Sequence, residues 1–256
     1  MSLTAIDPVI RPAPVVRQLG LLVQWQLRRM SSYLPLLVII QILLAVTTVL
    51  GYGLLIGTPP PEQALYLATG ASTVTLVMVG LVMTPQMVAQ SRTEGSLDWM
   101  RTLPVPRAVF LGADLLLWTV IALPGMVLGI AAGAWRFHIT LSLSWWLPLA
   151  AIAVALTSAC VGYAIATLAP PQVAQLASQV LVFIVLLFSP VSYPASRLPH
   201  WLAEVHQWLP IQPMADAMRA ALVSQTFAMT PRSVVLLVGW MVVCLAGASW
   251  ALSRRT

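Results

Sequence analysis

Ionisable side chains are scarce in this sequence, and their types restrict the chemistry it can perform. Of 256 residues, thirteen are Arg and none is Lys, while seven are Asp or Glu and three are His. The phosphate-binding loop GxxxxGK[ST] needs a lysine on the phosphates, so no ATP site of that type is encoded. His138, His200 and His206 lack the i,i+4 spacing of a helical metal pair. Cys160 and Cys244 fall inside apolar runs and read as small buried hydrophobes rather than as a redox pair. No serine, cysteine or carboxylate pair is arranged for nucleophilic or acid–base catalysis. The chain is expected to carry no catalytic site, metal or cofactor of its own.

The charges that remain gather in particular segments. Residues 89–107 hold Arg92, Glu94, Asp98, Arg101 and Arg107. Within them Leu97, Met100 and Leu103 can face one way while Glu94, Asp98 and Arg101 face another. This pattern predicts a short surface helix ended by Pro104 and Pro106, with an ordinary solvated loop as the alternative. Residues 189–222 are too apolar for a free loop and too broken by proline for one spanning helix. Short re-entrant helices dipping into the outer leaflet satisfy both facts, an extracellular loop being the alternative. Near the start, Val16, Leu19, Val23, Leu27 and Met30 recur at helical spacing, with Arg17, Gln24 and Arg28 opposite. An amphipathic helix over residues 15–30 is expected to lie on the inner membrane surface, as an anchor or as a contact for a partner.

What must position these segments is a membrane domain. Hydrophobic residues make up 59% of the chain and charged ones 8%, against roughly 25% charged in a soluble domain. Apolar runs at Leu34–Ile56, Leu65–Val88, Val109–Ala131, Trp145–Leu168, Val173–Ser192 and Ser233–Leu252 each reach the length that crosses ~30 Å of hydrocarbon. The expected fold is therefore an all-α membrane protein with six transmembrane helices. Residues 1–33 form an N-terminal segment, 34–252 the six-helix domain and 253–256 a tail. No cleavable leader is read at the start, and the first span is expected to stay in the membrane. Pro35, Pro85, Pro124, Pro148 and Pro190 mark expected ends or kinks.

Alternate sides of these spans collect Arg11, Arg17, Arg28, Arg29, Arg92, Arg101, Arg107, Arg254 and Arg255 on one face. The other face has Arg136, Arg197, Arg219 and Arg232. Positive charge favours the cytoplasmic side, so both ends of the chain and the 89–107 loop are expected there. Arginines spread in this way argue for orientation in a membrane and against nucleic acid. Most tryptophans fall near span edges as aromatic belts, but Trp118 and Trp240 do not.

Inside the spans, Asp114 is the only acidic residue, and pairing with Arg107 or snorkelling is favoured over a proton or substrate site. Gln41, Thr47 and Thr48 in the first span, Thr73, Thr75 and Gln86 in the second, and Gln175, Ser178 and Gln179 in the fifth suit either a passage or interhelical packing. Gly125, Gly129 and Gly133 make a smooth stripe on the third span for close helix contact, within the chain or between two chains.

Two segments carry a family resemblance. Glu94-Gly-Ser-Leu-Asp with Leu103-Pro-Val-Pro-Arg resembles the cytoplasmic loop of type-2 ABC exporter permeases, a group that includes drug-resistance and nodulation-type export permeases. Tyr193-Pro, Arg197-Leu-Pro-His-Trp-Leu, Leu209-Pro and Asp216-Ala-Met-Arg219 resemble the segment before their last crossing. Departures are mild: Ser96 for a commoner Thr, Asp98 for Glu, Tyr193 for Phe. The resemblance implies that Arg92, Glu94, Asp98 and Arg101 belong to a coupling helix seated in a partner ATPase. Two copies of that ATP-binding subunit would bind the ATP and Mg. A second permease chain, identical or homologous, would complete a passage through the lipid bilayer lined by Gln41, Thr47, Thr73, Gln86, Gln175 and Gln179. The implied role is ATP-driven export of a drug-like compound or lipid across a bacterial inner membrane. Export of a lipid-linked glycan by the same mechanism, an ATP-independent secondary transporter or channel, and a membrane enzyme acting on lipid are the alternatives.

Overall fold

The computed structural model describes residues 14–57, 59–95 and 105–253. Through them run helices α1 (Val15–Met30), α2 (Leu34–Ile56), α3 (Pro61–Thr93), α4 (Arg107–Phe137), α5 (Leu147–Leu168), α6 (Pro171–Phe188), α7 (His200–His206), α8 (Ile211–Leu222) and α9 (Pro231–Ser253). Six of them, α2 to α6 and α9, are long and apolar enough to cross a membrane. The fold is the expected all-α one with six candidate spans, and α2 has the predicted limits. The second helix begins four residues before the expected Leu65 and runs five beyond Val88, since its flanking polar residues continue the helical backbone. Among the described residues, β pairing is confined to one isolated bridge between Ser142 and Val223.

The helices differ sharply in enclosure. Within its most apolar window α3 is 83% buried, against 17% for both α2 and α6. The second span is thus the axis of the bundle, and the first and fifth turn broad faces outward. Small residues let α3 hold that position: Gly70, Ala71, Ser72 and Thr73 are fully enclosed, and their short side chains admit neighbouring backbones.

The glycine stripe of α4 works inside the chain. A Cβ on Gly125 would stand 2.9 Å from Gln41 Oε1, one on Gly129 3.3 Å from Ser72 Cα, and one on Gly133 2.8 Å from Ala68 Cβ. On α2 the facing stripe is Gln41, Ala45, Val49 and Gly53, spaced by four and the only fully buried residues of that helix. Its last member accepts a hydrogen bond through its carbonyl from Arg136 Nη2 at 3.0 Å.

Prolines act as their lack of an N–H requires. Pro35 and Pro148 stand in the first turns of α2 and α5, where no intrahelical donor is needed, and Pro190 follows the end of α6. Pro124 lies inside α4, which continues through it. Pro85 has a different neighbourhood: the five residues before Thr84, Val79–Met83, form a π-helical turn. There the Thr84 N–H reaches back five residues to the Val79 carbonyl. Such a turn widens the helix where the Pro85 ring would crowd the carbonyl four residues earlier.

The π-turn is also the tightest helix contact described. A Cβ on Gly162 of α5 would overlap the Gly80 carbonyl and stand 2.9 Å from Pro85 Cδ. Gly162→Ala is therefore expected to cost about 1–3 kcal/mol by overpacking and to lower the Tm of the detergent-purified chain. Gly239→Ala, where an added Cβ meets nothing within 4 Å, is the control and should leave the Tm unchanged or raise it slightly.

Candidate functional site

At the α1 end of the bundle, α1 is tied to the spans by charge as well as by packing. Arg29 Nη2 lies 3.1 Å from Glu94 Oε2, and Gln90 Nε2 donates to Glu94 Oε1 at 2.7 Å. Glu94 thus joins α1 to the end of α3. This pair is partly exposed, so its worth is in the range of about 0.2–1 kcal/mol. Arg92 turns the other way. Its Nη1 donates to the carbonyls of Ala166 and Ala169, both at 2.7 Å, where α5 ends and its last carbonyls have no helical donor. Arg92 fastens the α5–α6 turn to α3. Asp98 and Arg101, assigned with them to a coupling helix, lie outside the described residues, as does the rest of the predicted surface helix at residues 96–104.

The apolar stripe expected on α1 keeps its side: Leu19, Val23 and Leu27 are half-buried and Met30 buried, Arg17, Gln24 and Arg28 are exposed, and within the stripe Val16 alone departs, at 83% exposed in the first turn. Gln26 is buried beside that stripe, where its Nε2 donates to Asp114 Oδ1 of α4 at 2.6 Å. A carboxyl group at a helix interface needs a donor, and Gln26 supplies it from beside the stripe. The expected pairing of Asp114 with Arg107 is replaced by this contact. A polar residue one turn before Met30 and three residues after Val23 was its sequence signal.

At the opposite end, a second polar cluster holds the chain between α6 and α9. Arg219 of α8, counted above on the outer side of the spans, is 4% exposed. Its Nη2 donates to the carbonyls of Pro190 and Val191, each at 2.6 Å, and its Nη1 meets Asp216 Oδ1 at 3.0 Å. The guanidinium stacks 4.5 Å above the Tyr66 ring of α3, and Ser233 of α9 donates to Asp216 Oδ2 at 3.1 Å. Burial raises the Asp216 carboxyl above its usual range, with Arg219 and Ser233 opposing that shift. Burial likewise lowers Arg219, against the attraction of Asp216. The i,i+3 spacing of Asp216 and Arg219 was legible, but their partners on α3, α9 and the α6 end were not. Alongside them, Trp240 Nε1 donates to the Trp208 carbonyl at 2.7 Å. A cavity of about 610 Å³ opens between α6, α7 and α9, walled by apolar groups such as Ile184, Phe188, Trp201 and Leu202.

The pathway candidates separate into two groups. Gln41 and Thr73 are buried within the chain, Gln41 against Gly125 with both amide atoms unpartnered, and Thr73 bonded to the Thr69 carbonyl at 2.9 Å. Thr47, Gln175 and Gln179 are exposed on the outward faces of α2 and α6, and Gln86 is half-buried near the α1 end of α3. Thr47 satisfies itself on the Leu43 carbonyl at 2.6 Å.

Six helices long and apolar enough to cross a membrane define a multi-pass membrane protein. A family model described as ABC-2 type transporter matches residues 17–223, and the chain belongs to that family. It is the membrane subunit of an ABC transporter, of the kind that works with an ATP-binding subunit and performs no catalysis itself. No curated protein matches the sequence.

Removing the centre of the far cluster should be costly, because it strands a buried carboxylate and two carbonyls. Arg219→Leu is expected to lose about 3–5 kcal/mol, read as a large fall in Tm in detergent. The paired change Arg219→Leu with Asp216→Leu should recover part of that loss, because no unpaired charge is then left behind.

Proposed function

We propose that this chain is the transmembrane permease of an ATP-driven exporter that moves a hydrophobic or amphiphilic compound out across a bacterial inner membrane. One observation carries the reading: Gln175 and Gln179, one turn apart, are exposed on a helix long and apolar enough to span the bilayer. A primary amide facing hydrocarbon without a partner is unfavourable, so this face calls for protein or a wet passage against it. A second permease chain, identical or homologous, set against the outward faces of α2 and α6 supplies both. Thr47, Gln175 and Gln179 then border the passage. The exposed apolar side chains of those two helices and the apolar cavity at the far end favour drug-like or lipid cargo over polysaccharide.

The arginine bias puts the α1 end in the cytoplasm. There the 89–107 loop, with Glu94, Asp98 and Arg101, is the coupling contact for two ATP-binding subunits, which hold the ATP and Mg. Arg92 supports it from behind by pinning the α5–α6 turn, and Arg29 braces it through Glu94. Closure of the ATPases would press on this joint and change the gap between permease halves. On the outer side, α7 and α8 act as re-entrant helices, a reading supported by the buried Arg219 anchor and the Trp240–Trp208 bond.

Purification from native membranes in mild detergent should yield a bound ATPase. Glu94→Arg should weaken its association or its stimulation about tenfold, since a reversed charge at a contact costs on the order of 1.4 kcal/mol or more. Combining Arg29→Glu with Glu94→Arg restores the internal pair. Recovery in that double variant assigns Glu94 to bracing α1, and continued loss assigns it to the partner contact. A chain that purifies alone and transports when reconstituted overturns the ABC reading. In intact complexes, Gln175→Leu with Gln179→Leu should slow transport at unchanged abundance, measured as ATP-dependent uptake into inverted vesicles.

A further inference from the structure

The cavity of about 610 Å³ between α6, α7 and α9 lies at hydrocarbon depth, because Leu81, Val161, Ile184 and Trp240 of its wall all belong to candidate spans. Ile184, Phe188 and Val205 of that wall are exposed, so the space is an open groove rather than a sealed void. Nitrogen enters the lining through three side chains, His206, Trp201 and Trp240. His206 is buried, with Nδ1 2.9 Å from the Leu202 carbonyl and Nε2 3.3 Å from Ser189 Oγ. Trp240 gives its N–H to the Trp208 carbonyl at 2.7 Å. Trp201 is largely exposed, as suits an indole at a membrane–water interface. Water held in a cavity needs about two to four polar partners, and this wall does not supply them. Hydrocarbon is the content that fits.

The surroundings say which hydrocarbon. On α6, Leu181, Ile184 and Phe188 recur three and four residues apart, and at about 3.6 residues per turn that face points away from Gln175 and Gln179. A second chain set against the glutamines therefore leaves the groove to lipid. Arg232, in the first turn of α9, stacks 4.8 Å above the Trp208 ring and donates to Gln207 Oε1 at 3.1 Å. Because the Trp208 carbonyl also holds Trp240, Arg232 is tied to the groove wall. Among the described residues no carboxylate pairs with this exposed guanidinium. Arg232 precedes Trp240 by eight residues, about 12 Å along a helix. One leaflet of a ~30 Å hydrocarbon core is about 15 Å deep. An acyl chain that reaches Trp240 thus has its head group near the level of Arg232, and a planar guanidinium there matches the oxygens of a phosphate.

We propose that this groove holds one acyl chain of a phospholipid from the leaflet farther from α1, with the lipid phosphate bound by Arg232. Occupation requires neither an ATPase nor a second chain, so the site stands or falls separately from the export reading. The test uses the full chain, stripped of lipid in dodecyl maltoside and titrated with dioleoylphosphatidylglycerol, with bound lipid counted by native mass spectrometry. Dioleoylglycerol has the same chains and no phosphate.

Binding should saturate at one phosphatidylglycerol per chain, about tenfold tighter than dioleoylglycerol, and Arg232→Gln should remove that preference. Ile184→Trp fills the groove and should weaken both lipids about tenfold in a chain of unchanged Tm. Phe183→Trp, which adds its bulk at an exposed position outside the lining, is the control and should change neither. Arg232→Gln, at an exposed position, decides the matter should Ile184→Trp fail to fold. Dioleoylglycerol binding as tightly as phosphatidylglycerol, a preference kept by Arg232→Gln, or undiminished binding by folded Ile184→Trp overturns the proposal. So does a wild-type dimer that Ile184→Trp dissociates while lipid binding persists, which assigns the groove to a second copy of the chain.

Discussion

A helix end leaves carbonyls without a helical donor, and two arginines meet that constraint here. Arg92 binds the carbonyls that end α5 and Arg219 the two carbonyls just beyond α6, while Arg136 adds a second donor to the Gly53 carbonyl of α2, which already accepts from the Gly57 N–H. A guanidinium suits this work because its donors are fixed in a plane and can reach two acceptors at once. Each contact is between elements, not within one, so satisfying the backbone and joining the helices become the same event. Without them the ends of α5 and α6 would leave carbonyls unpaired, and a bundle of helices has little hydrophobic drive to hold itself together in lipid.

Between those ends, packing depends on how little side chain is present. Gly125, Gly129 and Gly133 of α4 receive α2 and α3, while Gly80 and Gly162 bring α3 and α5 together at the π-turn. These contacts draw α3 into the middle and leave α2 and α6 with outward faces. The division decides the meaning of the polar residues within the spans. Gln41 and Thr73 are enclosed by their own chain, whereas Gln175 and Gln179 face out and require a partner or water.

The α1 end is braced twice. Arg29–Glu94 and Gln26–Asp114 both join α1 to the spans, one at the surface and one in the interior. These two contacts attach α1 to α3 and α4 through one side of the helix. The same attachment leaves Gln26 Oε1 buried without a partner.

Composition and run length by themselves determined the six spans and the limits of α2. Apolar length is a property of consecutive residues, and crossing ~30 Å of hydrocarbon requires little else. Four-residue spacing on α4 likewise announced a close contact, though not whether α2, α3 or another chain would fill it. Tertiary structure alone decided the rest. Periodicity marked the inward side of α1 through Leu19, Val23, Leu27 and Met30, but only the carboxyl group on α4 explains why Gln26 is buried beside them. The sequence put Arg219 on the outer side of the spans, but its partners, the carbonyls of Pro190 and Val191, lie 29 and 28 residues away in sequence and are brought beside it by the fold. A polar side chain takes its role from the partner it meets, and in a bundle that partner is set by how the helices pack, which no local run of residues contains.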